Sequence, residues 1–151
     1  MEYQYDRLNQ WHFQPKQDPV GYIVVTHLYV EHALDYLIYR NCKNHKRILT
    51  DHRIFTFAVK LELCFEMDLI HIGLYENIRA LNTLRNNMVH NLDVDYKSLK
   101  LYFTSSSGEK QFRIGDFVSG QDDPDGVRLM IMNLGMKTLT PLNTLISLEY
   151  L

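Results

Sequence analysis

The sequence predicts an all-α fold: a helical bundle of about four main helices, with a small β-hairpin between the third and the last. Three observations carry this expectation. Apolar residues recur at spacings of three and four along successive stretches between Val20 and Leu92. A polar, loosely alternating stretch follows. Helical spacing then returns after Asp123-Pro124, a pair suited to an N-cap with proline in the first turn. No internal repeat or low-complexity linker divides the chain. Residues 20–151 therefore read as a single domain behind an irregular arm, residues 1–19, which holds Pro15, Pro19, Trp11 and Phe13.

The first helix is expected from Val20 to about Asn41, with Ile23, Leu28, Ala33, Leu34, Leu37 and Ile38 on its apolar face. Asn41 to Asp51 is rich in Lys, Arg, His and Asn and reads as a polar connection. Thr50 or Asp51 is its natural N-cap. A second helix is expected from about Ile54 to Met67, followed by a short link, Asp68 to His71. Gly73 precedes the third helix, Leu74 to Leu92. Leu99–Thr104 and Gln111–Ile114 alternate as hairpin strands around Ser105–Lys110. The last helix runs to about Ser147, with Pro141 expected to kink it.

Composition excludes several classes. The chain has 151 residues, 46% hydrophobic and 23% charged, with a net charge of −2. There is no global basic field, so any contact with nucleic acid must come from a local patch. Cys42 and Cys64 form no CxxC pair and no disulfide framework. No apolar run reaches membrane-span length and the opening residues are not a signal peptide. The expectation is a cytoplasmic protein without a membrane partner.

The third helix carries the chemistry. Arg85 lies four residues after Leu81 and three before Met88, inside the apolar series Leu74, Ile78, Leu81, Met88, Leu92. A guanidinium there needs a partner, because it stays charged and an unpaired buried charge is costly. Glu31 and Glu62 are candidate structural partners. Asn82, Asn86 and His90 follow one another at spacings of four, so they share a flank. Arg85 and His90 are about 140° apart around the axis, too far for one helix to aim both at one atom. His90 can also be read as a cation complementing the helix C-terminus, and Arg40, Lys43, Lys46 and Arg47 either as contacts for RNA phosphates or as a solvated helix end. His27 and His32 do not have metal-chelating helical spacing. Glu62 and Glu66 lack the Glu-x-x-His partner of a di-iron bundle.

The run Leu81-Asn82-Thr83-Leu84-Arg85-Asn86-Asn87-Met88-Val89-His90-Asn91-Leu92 resembles the signature helix of the HEPN domain superfamily. In that family an Arg, often followed by a polar residue, precedes a His after a short gap. His27 to Ile38 resembles the family's first helix and Phe57 to Ile70 its second, so the resemblance spans roughly Thr26 to Leu92. It implies a HEPN-like helical domain and a metal-independent endoribonuclease without cofactors, working as a homodimer on RNA. It further implies a toxin or defence effector, with an antitoxin protein as a partner. Arg85 and His90 would be catalytic, with Asn86 and Asn82 supporting the site or binding substrate. The Tyr that some family toxins carry two residues after the His is here Leu92, which puts control by nucleotidylation of that residue in doubt. The alternative is a non-catalytic HEPN-like regulator or interaction scaffold, similar to mannitol-repressor-like proteins.

Overall fold

A computed structural model of the chain describes residues 19–90, 100–105, 108–113 and 124–148, with side chains described for 20–87 and 132–147. Its helices are α1 (Pro19–Asn41), α2 (His45–Thr50), α3 (Phe57–Glu66), α4 (Ile72–His90) and α5 (Pro124–Leu148). The architecture is all-α. A two-stranded antiparallel ribbon, β1 (Lys100–Ser105) and β2 (Gly108–Arg113), stands between α4 and α5. Its pairing runs from Lys100↔Arg113 to Ser105↔Gly108, and β1 lies along α4. The expected arm falls outside the described residues except for Pro19, which opens α1. Among the described residues no helix is long and apolar enough to cross a membrane.

α1 is the hub, touching α2, α3, α4 and α5. A helix with neighbours on several sides cannot show one narrow apolar stripe. Accordingly Tyr22, Ile23, Thr26, His27, Tyr29, Val30, Ala33, Leu34, Tyr36, Leu37 and Ile38 are all buried. The expected face was therefore too narrow, and Leu28, assigned to it, is 56% exposed.

The segment expected as a polar connection folds into the short helix α2. Thr50 is its last residue and Asp51 its C-cap, the Asp51 N–H donating to the Arg47 carbonyl. The N-cap of α3 is instead Thr56, whose hydroxyl accepts from the Val59 N–H at 3.5 Å. The second long helix thus starts at Phe57, three residues later than its periodicity suggests.

α3 stops at Asp68, which adopts a left-handed φ of 56°. The Leu69 N–H reaches the Cys64 carbonyl and the Asp68 N–H reaches the Phe65 carbonyl. Those two bonds define a Schellman ending, with Asp standing where Gly is usual. Three residues on, His71 stands just before α4. Its ring Nδ1 accepts from the Leu74 N–H at 3.3 Å, and its carbonyl accepts from the Tyr75 N–H. α4 therefore begins at Ile72, and Gly73 sits inside it rather than before it.

α5 packs on both α1 and α4. Gly135 lets it approach α1: a Cβ there would overlap the Tyr22 hydroxyl and come within 2.9 Å of its ring. The Tyr22 hydroxyl donates to the Met132 carbonyl at 3.2 Å, and burial pushes its pKa up to about 12. Pro141 lies inside the helix, with α5 continuing through it. On either side, the Thr138 and Thr144 hydroxyls donate to carbonyls four residues back.

Candidate functional site

α4 buries Leu74, Asn77, Ile78, Leu81 and Leu84 against the bundle. The buried stripe passes through Leu84, so Arg85 lies toward its edge and is half-buried rather than central. Neither expected carboxylate pairs with it. Glu31 is committed to Lys60 of α3 at 3.5 Å, and Glu62 accepts from the Tyr75 hydroxyl at 2.5 Å. Among the described residues no carboxylate lies at ion-pair distance from Arg85. Its Nη1 instead donates to the Asn86 Oδ1 at 3.0 Å.

This bond has a geometric consequence. Arg85 and Asn86 leave the helix about 100° apart, and Asn86 stands on the flank of Asn82 and His90. The guanidinium is drawn toward that flank, which reduces the 140° divergence between Arg85 and His90. His90 is the last residue of α4, one turn beyond Asn86; its side chain lies outside the described residues.

Asn82 is also engaged. His27, on α1, places Nε2 at 2.9 Å from the Asn82 Oδ1. The His27 ring is 6% exposed and stacks on Phe57, with centroids 4.1 Å apart and planes at 27°. Burial holds its pKa below the usual 6.5. The Asn82 bond and Glu31 oppose that shift, and the nearby Arg85 charge adds to it. His27 is thus a neutral ring near neutrality, tying α1 to α4 next to the motif. Sequence reasoning considered His27 only as a metal ligand. The available signal was its place four after Ile23 and three before Val30, on the inward face of α1, where a polar side chain needs a partner.

One and two turns further along α1 stand Glu31 and Asp35, on which Lys60 of α3, 1% exposed, closes at 3.5 Å and 2.7 Å. Two carboxylates therefore compensate one buried ammonium. The order along this face is Arg85, Asn82, His27, Glu31, Lys60 and Asp35, a polar band crossing from α4 through α1 to α3.

The thiols are not part of this band. Cys64 is buried, its thiol pushed up to about 12, and its Sγ points at the Leu34 carbonyl. A cavity of about 340 Å³ opens at the other end of α4, between Gly73, Leu74 and Asn77 and the α5 residues Met136, Lys137, Thr140 and Pro141. Leu74 lies about 16 Å along the axis from Arg85, so cavity and motif are separate places.

Comparison with known proteins brings no family assignment: no family model, no curated protein and no solved structure matches the chain.

Proposed function

We propose that the chain is a metal-independent endoribonuclease of HEPN type, acting as a homodimer and serving as a toxin or defence effector. The observation that carries this reading is Arg85. It is a half-buried guanidinium without a carboxylate among the described residues, bent by Asn86 toward the flank on which His90 stands. A cation held in this way is available to a phosphate, and its planar fork fits phosphate oxygens.

In the proposed reaction the ribose 2′-OH attacks the adjacent phosphorus. His90 relays the proton, since an imidazole works as acid and base near neutrality. Arg85 offsets the charge that develops on the phosphorane oxygens. Asn86 and Asn82 hold the backbone of the substrate. A second copy of α4 across a two-fold axis would complete the cleft, bringing the Asn82, Asn86, Val89 and His90 flanks together. An antitoxin protein would cover the same flank.

RNA digestion by the wild-type protein beside His90→Ala, in EDTA, tests this. The expected products carry a 2′,3′-cyclic phosphate and a 5′-hydroxyl. His90→Ala should lower the rate by on the order of a hundredfold or more. Arg85→Lys should not rescue activity, because a point charge on a flexible stem does not reproduce the fork. A DNA target, loss of cleavage in EDTA, or full activity in His90→Ala rejects the mechanism. Failure to cut any RNA leaves the regulator or scaffold reading.

A further inference from the structure

The hydrogen bonds around Arg85 have a common direction. The Asn86 carbonyl oxygen is occupied by Arg85, and the Asn82 carbonyl oxygen faces the His27 ring. Arginine only donates, so the orientation of the Asn86 amide is fixed by chemistry. The Asn82 oxygen facing His27 requires the proton on Nε2. Both amide oxygens are thereby taken up by neighbouring side chains. What remains on these three half-buried side chains is the Asn82 NH2, the Asn86 NH2 and the rest of the Arg85 fork. Among the described residues, neither amide NH2 has an acceptor. The acidic neighbour that could spoil this surface, Glu31, is drawn to Lys60.

We propose that His27 is a positioning residue for the Arg85 site: it holds the Asn82 amide so that its NH2 and the Arg85 guanidinium form a donor-only cradle for an oxyanion. Asn86 supplies the third donor. Residues 82, 85 and 86 stand at i, i+3 and i+4, so they converge on one patch of α4. A patch with donors and no acceptor favours a phosphate-type group over a neutral polar ligand or a cation. The inference rests on the ribonuclease reading only in taking that group to be an RNA phosphate. His27 is too buried to reach the substrate itself. It acts through Asn82, and its stacking on Phe57 fixes the direction of the Nε2–H bond.

The test is a titration of the isotope-labelled full chain with inorganic phosphate. The side-chain amide signals of Asn82 and Asn86 and the Arg85 Nε–H signal are followed together. In the wild type all three should shift and saturate at one affinity. His27→Phe keeps a ring against Phe57 but removes the donor, and should weaken phosphate binding by on the order of tenfold, the usual scale for a charge-assisted bond. His27→Gln keeps a donor at similar reach and should recover most of the affinity. Where His27→Phe does not fold, Asn82→Asp replaces it: the acceptor for His27 is kept, the NH2 becomes an anion, and phosphate binding should be lost.

Absence of a saturable shift in the wild type overturns the proposal. So does wild-type affinity in a folded His27→Phe or Asn82→Asp protein, or a His27→Gln protein as weak as His27→Phe. With RNA as substrate, His27→Phe should raise KM more than it lowers kcat. Phosphate bound at these signals by a protein that cuts no RNA upholds the cradle and rejects the ribonuclease. RNA cleavage with phosphate affinity and KM unchanged in His27→Phe does the reverse.

Discussion

α1 meets its neighbours along two seams of opposite chemistry. Against α5 the seam is tight and apolar: Tyr22 lies on Gly135 and its hydroxyl is spent on the Met132 carbonyl. Against α3 and α4 the seam is polar, with His27, Glu31 and Asp35 facing Lys60 and Asn82. A bundle can be held by seams of the first kind alone, and buried ion pairs often add little net stability. The polar seam therefore invites a second explanation for at least part of itself. Its two cations differ in the way that matters. Lys60 is fully buried and answered by two carboxylates. Arg85 is half-buried and answered by a neutral amide. The first arrangement is closed and structural; the second leaves charge to spare at the surface.

The largest expected effect breaks the closed arrangement. Asp35→Ala leaves the Lys60 ammonium in the interior with only Glu31 at 3.5 Å. Removing one partner of a buried pair typically costs about 3–5 kcal/mol, and the remaining Glu31 places this case near the lower end. Lys60→Met should cost far less, since Asp35 and Glu31 side chains, 21% and 34% exposed, can turn to water. Denaturant unfolding of both variants measures the asymmetry. Equal losses would mean that the ammonium itself, not its compensation, holds the seam.

Next in size is the apolar seam. Gly135→Ala gains helix propensity of about 1 kcal/mol but drives a Cβ into the Tyr22 ring. Tyr22 is 7% exposed and cannot swing away, so overpacking should win, with a net loss of about 1–3 kcal/mol. Tyr22→Phe combined with Gly135→Ala should recover part of it, because the closest clash is with the hydroxyl. No recovery in thermal melts would show that α1 and α5 are held apart by backbone rather than by this ring.

The two seams should also separate by pH. Burial lowers the pKa of His27 and of His32 below 6.5, partly opposed at His32 by Asp35. The unfolded chain then binds more protons than the folded one between those lowered values and 6.5. Stability is full above about 6.5 and falls as the pH drops through that window. His27→Gln should flatten the decline, whereas Gly135→Ala should shift the whole curve without changing its shape. A decline unaltered by His27→Gln would assign it to other groups.

Much of this contrast was legible in the sequence, and the part that was not has a physical reason. The helical class followed from spacing alone, whereas spacing set Arg85 inside the apolar stripe and the structure sets it at the edge. The partner of Arg85 did not follow from spacing, because Glu31 and Glu62 were equally plausible until Lys60 and Tyr75 claimed them. Lys60 was missed for a related reason: a lysine among Leu, Val and Glu reads as a solvated face unless the carboxylates of another helix are known to meet it. His27 was weighed by spacing to other histidines, when what mattered was its inward position on a helix packed on several sides. Thr50 and Asp51 stood out as N-caps, and the true cap Thr56 did not, because a six-residue helix lay hidden in a polar run. Tertiary contacts decided the partners of Arg85, Lys60 and His27, and local pattern does not encode them; the Thr56 cap is itself local.

The smallest expected effect is the most informative about Arg85. Arg85→Met removes a cation from the edge of an apolar stripe and keeps a stem of similar length. No buried carboxylate is orphaned among the described residues, and the Asn86 Oδ1 it leaves is half-exposed and can take water. The change in unfolding free energy should lie within about 0.5 kcal/mol, the range of substitutions that break no buried network. RNA cleavage and phosphate binding should nevertheless collapse. A residue that matters little to the fold and greatly to an anion is held for the anion. A stability loss as large as that of Asp35→Ala would instead make Arg85 a second Lys60, and the reason for reading a site at this end of α4 would be gone.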